Sequence, residues 1–381
     1  MSPTFSRRVR ALAAAALTAG LLVAGTPAVA AAGDGAHRPD AVQKELDGLV
    51  AKDGFPAALA AVRDAKGRTR HYTAGVGDLK TKAKVPVDGR VRVASNTKMF
   101  TAVVVLQLVG EGKVGLDEPI ETYLPRVVRG KGIDGREITV RQLLQHTSGL
   151  PNYGRWLPSI FETRDVHRSP QDLLDIAFAH EASFAPGTSW EYSNTNYVLA
   201  GLLVEKVTGR PLSDELNDRI IKPIGLRHTY SPAKGETTIR GRHPRAYGSV
   251  KPGGPLVDIT DQDPSRAWGG GHLIATPSDL NRFTGALMGG RLLKPEQLAQ
   301  MKRTVRPAGA PAGWEYGLGL MKMPLSCGGV AWGHTGDIVG HETRNGVTED
   351  GRAATVAVTA QSATDAATQH VNDAMDTALC R

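Results

Sequence analysis

The stretch 95-SNTKMFTAVVVLQLVG-110 sets a serine and a lysine three residues apart at the head of an apolar run. On a helix, residues three apart share a face, so the Lys98 amine can reach the Ser95 hydroxyl. The continuation Ala102-Val103-Val104-Val105-Leu106 is apolar enough to be buried, and burial is what makes such a lysine useful. A free lysine, with pKa about 10.4, is neutral only about 0.04% of the time at pH 7. To act as a base near neutrality its pKa must fall toward about 7–8, at a cost of about 3–4 kcal/mol that desolvation and a nearby cation can supply. The start of the helix adds a positive dipole end and free N–H groups beside the hydroxyl. The bland alternative is a helix N-terminus with a surface lysine. Indeed a second S-x-x-K occurs at Ser231-Pro232-Ala233-Lys234, where the proline and Gly235 indicate a loop and a solvated lysine.

Two further motifs follow Ser95 in order, after about 100 and then about 140 residues: Tyr192-Ser193-Asn194, the single Y-x-N, and His334-Thr335-Gly336, the single [KH]-T-G. Singly each is weak, since Tyr192 reads equally as a packed aromatic, Asn194 as a turn residue and His334 as a strand histidine. Other chemistries lack a foothold. There is no G-x-S-x-G elbow, no phosphate-binding G-x-x-x-x-G-K-[ST] and no H-E-x-x-H, and the 11 histidines show no metal-ligand spacing, so no metal or cofactor is expected.

Around this centre the periodicity changes along the chain. Ala41–Ala51 reads as a short amphipathic helix, and Ala57–Val62 and Thr69–Gly75 as strands around the turn Asp64–Gly67. At the other end Tyr316–Met323, Gly329–Trp332, Ile338–Thr343 and Ala353–Ala360 are strand candidates, followed by a helix from Ala363 to Leu379. Between lie helical signals: residues 95–111, Val140–Gln145, Gln171–His180 and Asn196–Val207. A helix opened by a capping box at Thr276-Pro277-Ser278-Asp279 runs to Met288. Strands at both ends with helices between predict an α/β (α+β) fold, with a sheet domain from 39–100 and 305–381 and an inserted, mainly helical domain over 101–304.

Arg7, Arg8 and Arg10, the apolar run Ala11–Ala24 and Ala28-Val29-Ala30 read as an export signal over 1–30, cleaved near Ala30 and giving a secreted protein, by an ordinary or a twin-arginine route. No later stretch reaches the roughly 20 apolar residues of a spanning helix. Removing 1–30 takes away three arginines and no acid, so the net charge falls from +8 to +5. There is no block of cations and no aromatic-interleaved basic patch, so nucleic acid is not an expected partner. In an oxidising compartment Cys327 and Cys380 read most simply as one disulfide, the alternative being two unpaired thiols.

Taken together, the three motifs resemble the serine β-lactamase and penicillin-binding-protein superfamily, most closely its secreted class C-like D-alanyl-D-alanine carboxypeptidases. The likeness extends over nearly the whole mature chain, through SNTKMFTAVVVLQLVGEGKVGLDEPIETYLP, VRQLLQHTSGLPNY, WEYSNTNYVLAGLLVEKVTG, WEYGLGL and the cysteine placement. It implies an antiparallel central sheet flanked by helices, with the cleft at the border of the helical domain, and acyl transfer on D-amino-acid peptides. It implies Ser95 as nucleophile, with Lys98 and Tyr192 sharing the proton work and the resting base left open. It also implies Asn194 on the substrate amide and His334 orienting Tyr192 or carrying positive charge, with Thr335 and Gly336 beside the substrate. Backbone N–H groups of Ser95 and Asp337 would form the oxyanion hole. His146-Thr147-Ser148-Gly149-Leu150 resembles a family segment at a helix end and reads as structural. Peptidoglycan-type peptides and β-lactams are the implied ligands of a monomeric enzyme without a membrane anchor.

Two positions depart from the carboxypeptidase pattern: Met321 where an arginine should meet a terminal carboxylate, and Asp337 where a small hydroxyl residue is usual. Both disfavour a carboxylate ligand, unless Lys322 or Arg266 supplies the charge. An amide, amine or ester end is then the better fit. A β-lactamase, esterase or D-amino-acid amidase on the same fold, and more remotely a non-catalytic penicillin-binding sensor, are the alternatives.

Overall fold

In the computed structural model, residues 40–251 and 253–381 are described; the expected export signal lies outside them. A seven-stranded sheet is built from both ends of the chain. Its strands are β1 (Ala57–Arg63), β2 (Thr69–Gly75), β3 (Glu315–Tyr316), β4 (Met321–Pro324), β5 (Val330–Ile338), β6 (His341–Thr348) and β7 (Ala353–Val358). They run in the order β2-β1-β7-β6-β5-β4-β3, every neighbour antiparallel. This is the expected mixed α/β architecture.

Period-two alternation gives each strand two apolar faces. In β1, Ala57 and Leu59 join one core while Ala58, Ala60 and Val62 join the other. In β7, Ala353 and Ala357 face the first core, and Ala354, Val356 and Val358 the second. The register Ala58↔Val358, Leu59↔Ala357 and Ala60↔Val356 keeps like faces together. The second core is closed by α1 (Ala41–Ala51) and by α7 (Asp365–Leu379), whose Val371, Ala374, Met375 and Ala378 are buried.

The first core holds α2 (Thr97–Gly110), α3 (Val140–Gln145), α4 (Pro170–Phe178), α5 (Thr195–Thr208) and α6 (Pro277–Met288). Eleven of the fourteen α2 residues are buried, as expected of a helix apolar all round. Within the stretch 101–304, α6 lies on the sheet, where Asn281 donates to the Ala61 carbonyl at 2.8 Å and accepts from Thr355 Oγ1 at 2.8 Å. Its expected capping box is half made. Thr276 accepts from the Asp279 N–H, but the Asp279 carboxylate turns to the His228 N–H and the Thr229 hydroxyl. No helix among the described residues is long and apolar enough to cross a membrane.

Cys327 and Cys380 are bonded, pinning the end of α7 beside the β4–β5 turn across a separation of 53 residues. On the chain-entropy account a loop of that length stabilises by about 4 kcal/mol. Replacing both cysteines by serine should therefore lower the melting temperature by about 5–6 °C for a chain of this size. A thermal melt unchanged to within about 1 °C would refute that estimate.

Candidate active site

Ser95 does not open the long helix, as the sequence suggests. It sits in a separate 3-10 turn, Ala94–Asn96, from which α2 starts at Thr97. The turn is entered through Ala94 in the left-handed region, φ 48°, a conformation that costs a β-carbon residue about 1–2 kcal/mol. Each residue of the motif then has its own partner. Asn96 Nδ2 donates to the Val93 carbonyl at 3.1 Å and to Thr343 Oγ1 at 2.7 Å, tying the turn to β6. Thr97 Oγ1 accepts from the Leu273 N–H at 3.2 Å. Lys98 Nζ lies 3.1 Å from Ser95 Oγ, 2.7 Å from Asn194 Oδ1 and 2.9 Å from the Gly270 carbonyl.

Lys98 is fully buried, and that desolvation brings its pKa down to about 7. No carboxylate appears among its hydrogen-bond partners, so nothing there holds the proton on. The amine also stands 4.8 Å from the centre of the Tyr192 ring. Burial pushes the Tyr192 phenol above the usual tyrosine value, against a smaller lowering by the Ser95 side chain. Asn194 stands at the N-cap position of α5 but, instead of capping the helix with its side chain, turns its Oδ1 to Lys98. The first two motifs therefore meet around one hydroxyl.

His334 departs from expectation. It is fully buried in β5, and its Nε2 meets the Tyr316 hydroxyl at 3.0 Å rather than Tyr192. That phenol also meets His146 Nε2 at 3.2 Å, while His146 Nδ1 lies 3.3 Å from the Ser193 N–H and 3.0 Å from Asn196 Nδ2. The directions are forced. A backbone N–H only donates, so His146 Nδ1 accepts and Nε2 carries its hydrogen. Likewise His334 Nδ1 faces the Thr335 carbonyl, which only accepts, so His334 Nδ1 donates and Nε2 accepts from Tyr316. This relay is satisfied with both imidazoles neutral. Desolvation and the Lys98 charge hold His334 near pKa 3 and His146 well below the usual histidine value. His334 is thus no pH-dependent cation near neutrality. His146 does sit at a helix end, with φ 63°, yet its ring packs 4.4 Å from that of Tyr192, directly beneath the site.

A Beta-lactamase family profile matches residues 42–378. The chain belongs to the beta-lactamase family. Among curated proteins, the penicillin-binding protein 4* of Bacillus subtilis is 32% identical over 163 residues, 42% of this chain. Those residues are 34% of that relative's own length, so this beta-lactamase-family chain spans about a third of it. Among solved structures, a D-stereospecific amidohydrolase from Streptomyces sp. is 42% identical, with TM-score 0.81 over 88% of this chain and 97% of the other. A D-amino acid amidase from Ochrobactrum anthropi is 32% identical, with TM-score 0.79 over 89% and 96%.

The remaining residues of this beta-lactamase-family site fall into two groups. Ser95, Asn194 and Asp337 line an open cleft of about 230 Å³ together with Tyr153, Leu157 and Arg266. Thr335 and Gly336 stand back from it. Thr335 Oγ1 contacts the Met321 sulfur at 3.9 Å, and a β-carbon on Gly336 would lie 2.3 Å from the Val93 carbonyl oxygen. Asp337 is not a free anion. Arg344, 2% exposed, pairs with it at 2.9 Å and with Glu342 at 3.1 Å. Of the two cations named as substitutes, Lys322 is paired with Glu315, while Arg266 reaches the cleft and, among the described residues, its guanidinium otherwise meets only the Pro158 carbonyl and Thr163, at 3.3 and 3.4 Å.

Sequence reasoning missed the Gly270 carbonyl, Tyr316 and the part played by His146. The run Trp268-Gly269-Gly270-Gly271 was the available signal, since consecutive glycines mark close backbone approach. A β-carbon on Gly270 would stand 3.2 Å from Lys98 Nζ.

Proposed function

We propose that the protein hydrolyses D-amino-acid amides and short D-peptides through an acyl-enzyme on Ser95. The observation that carries this is the buried Lys98 amine, with pKa about 7, 3.1 Å from the Ser95 hydroxyl. Neutral Lys98 takes the Ser95 proton as Oγ attacks the amide carbon. Tyr192, kept protonated by burial, relays a proton to the departing nitrogen, and the C–N bond breaks. Water then repeats the sequence in reverse and frees the acid. Backbone N–H groups of Ser95 and Asp337 hold the developing oxyanion, a contribution of about 3–4 kcal/mol per donor in other hydrolases. Asn194 orients both the amine and the substrate amide.

An amide end is preferred to a carboxylate end because Met321, not a cation, lies beside Thr335. The 42% identity to a D-stereospecific amidohydrolase points the same way. D-alanyl-D-alanine carboxypeptidase action is the second reading, favoured by Arg266 at the cleft, the one position from which a guanidinium could meet a terminal carboxylate. In either case β-lactams are acylating ligands of Ser95, and export on the basic, apolar N-terminal segment would bring envelope peptides within reach.

Steady-state hydrolysis of a D-Ala-D-Ala peptide, compared with its C-terminal amide and with a D-phenylalanine amide, tests the choice. Amides should exceed the carboxylate substrate in kcat/KM by at least about tenfold, a difference of about 1.4 kcal/mol. The reverse order would establish the carboxypeptidase reading, and no hydrolysis of any of them would remove both.

A further inference from the structure

The second S-x-x-K, at Ser231, is not idle in the fold. Lys234 is exposed, as its loop setting suggests, but Ser231 has a different partner: its Oγ lies 2.7 Å from Nε2 of His272. The direction of that bond follows from the other side of the ring. His272 Nδ1 faces the Trp268 carbonyl, which can only accept, so Nδ1 carries the hydrogen. Nε2 of the neutral ring is then an acceptor, and the Ser231 hydroxyl donates to it. A serine donating to an imidazole whose far nitrogen is fixed by an acceptor is the arrangement that a histidine-activated hydroxyl requires. Burial keeps the ring neutral across the physiological range, with pKa about 4.

The pair opens on space. Ser231 and His272 line a cleft of about 430 Å³, larger than the one beside Ser95, with Trp268, Leu212, Ile221 and Pro264 as apolar walls and Asp214 and Asn217 as polar ones. The turn Trp268–Gly271 separates the two clefts. Its successive carbonyls point to different sites: Trp268 to His272, Gly269 to Thr101 at 2.7 Å, and Gly270 to Lys98 at 2.9 Å. None of the residues assigned to the Ser95 chemistry reaches the second cleft.

We propose that Ser231 and His272 form a second acyl-accepting site, distinct from Ser95, for small activated esters with an apolar acyl group. The acyl group seats against Trp268 and Leu212. The Ser231 Oγ–acyl bond forms as the ester C–O bond breaks; the hydroxyl proton passes to His272 Nε2 and then to the departing oxygen or to solvent. No other reactant is consumed. The proposal does not depend on the reading of Ser95, and its test is run without that residue.

The test uses the full chain carrying Ser95→Ala, exposed to p-nitrophenyl butyrate and, separately, to an alkyl fluorophosphonate, and followed by intact mass and peptide mapping. One adduct per chain is expected, located on Ser231, absent from Ser95→Ala/Ser231→Ala and formed at least tenfold more slowly in Ser95→Ala/His272→Gln. Ser231→Ala removes only a hydroxyl, so it stands as the control should the histidine variant fold poorly. The labelling rate should be level from pH 6 to 8, because the imidazole is already neutral there. No adduct, an adduct on Lys234 or elsewhere, or a rate that climbs tenfold per pH unit over that range would overturn the assignment.

Discussion

Lys98→Met is expected to lower kcat/KM by about 10⁴-fold, the upper range for a positioned acid–base group, while leaving the protein folded. Burying the amine with its pKa brought from 10.5 to about 7 costs the native state about 4–5 kcal/mol, which methionine recovers. Against this, Asn194 Oδ1, the Gly270 carbonyl and Ser95 Oγ each lose a donor, at about 1–3 kcal/mol apiece where no water replaces it. The two effects are of the same order and opposite sign, so the thermal midpoint should move little. Activity has no such compensation. In the unaltered protein the same lysine sets the acid limb of the pH profile. Only its neutral form accepts the serine proton, so kcat/KM should rise tenfold per pH unit below about 7 and level off above it. His334, neutral down to about pH 3, adds no limb of its own in that range. A folded Lys98→Met protein within tenfold of the parent, or an acid limb two pH units lower, would dismiss Lys98 as the base.

Gly336→Ala is expected to damage both stability and activity. The added β-carbon would lie 2.3 Å from the Val93 carbonyl oxygen, 2.5 Å from Thr343 Oγ1 and 2.8 Å from Asn96 Nδ2. The first of these is backbone and cannot swing aside, so β5 and the 93–96 turn must separate. Overpacking of this kind costs about 1–3 kcal/mol. The catalytic penalty is larger, because the displaced elements carry Ser95 and Asp337 on either side of the reacting carbonyl. A misplacement of about 1 Å is worth about 10²-fold in rate. Circular dichroism melts and amide hydrolysis on one preparation would measure both; a variant with unchanged activity would show that strand and turn are not held in contact in solution.

Much of this was legible in order along the chain. Helices Ala41–Ala51, Val140–Gln145 and Pro277–Met288 begin and end within a residue of their sequence patterns, because caps and apolar periodicity are local properties. The β5–β6 hairpin was less legible. The sequence suggested strands at Gly329–Trp332 and Ile338–Thr343, leaving His334-Thr335-Gly336 between them, whereas β5 runs unbroken through that motif to Ile338. Two glycines and a polar stretch read as a break in isolation. In the sheet, the pairing of Gly333 with Gly346 and of Gly336 with Thr343 turns the missing side chains into close backbone approach.

The sequence alone determined which groups could do chemistry here: a hydroxyl and an amine one helical turn apart, a later phenol and amide, and a later imidazole. It also pointed to the α/β class and to a bond between two cysteines, which the fold then formed. Only the tertiary structure decided their electrical states and partners. Lys98 is available as a base because α2 is covered on all sides, and His334 is neutral because burial in the closed fold and the Lys98 charge, distant in sequence, disfavour its protonated form. Local pattern specifies residue type and spacing, whereas desolvation and hydrogen-bond direction depend on everything packed around a group, and that is known only once the chain has closed on itself.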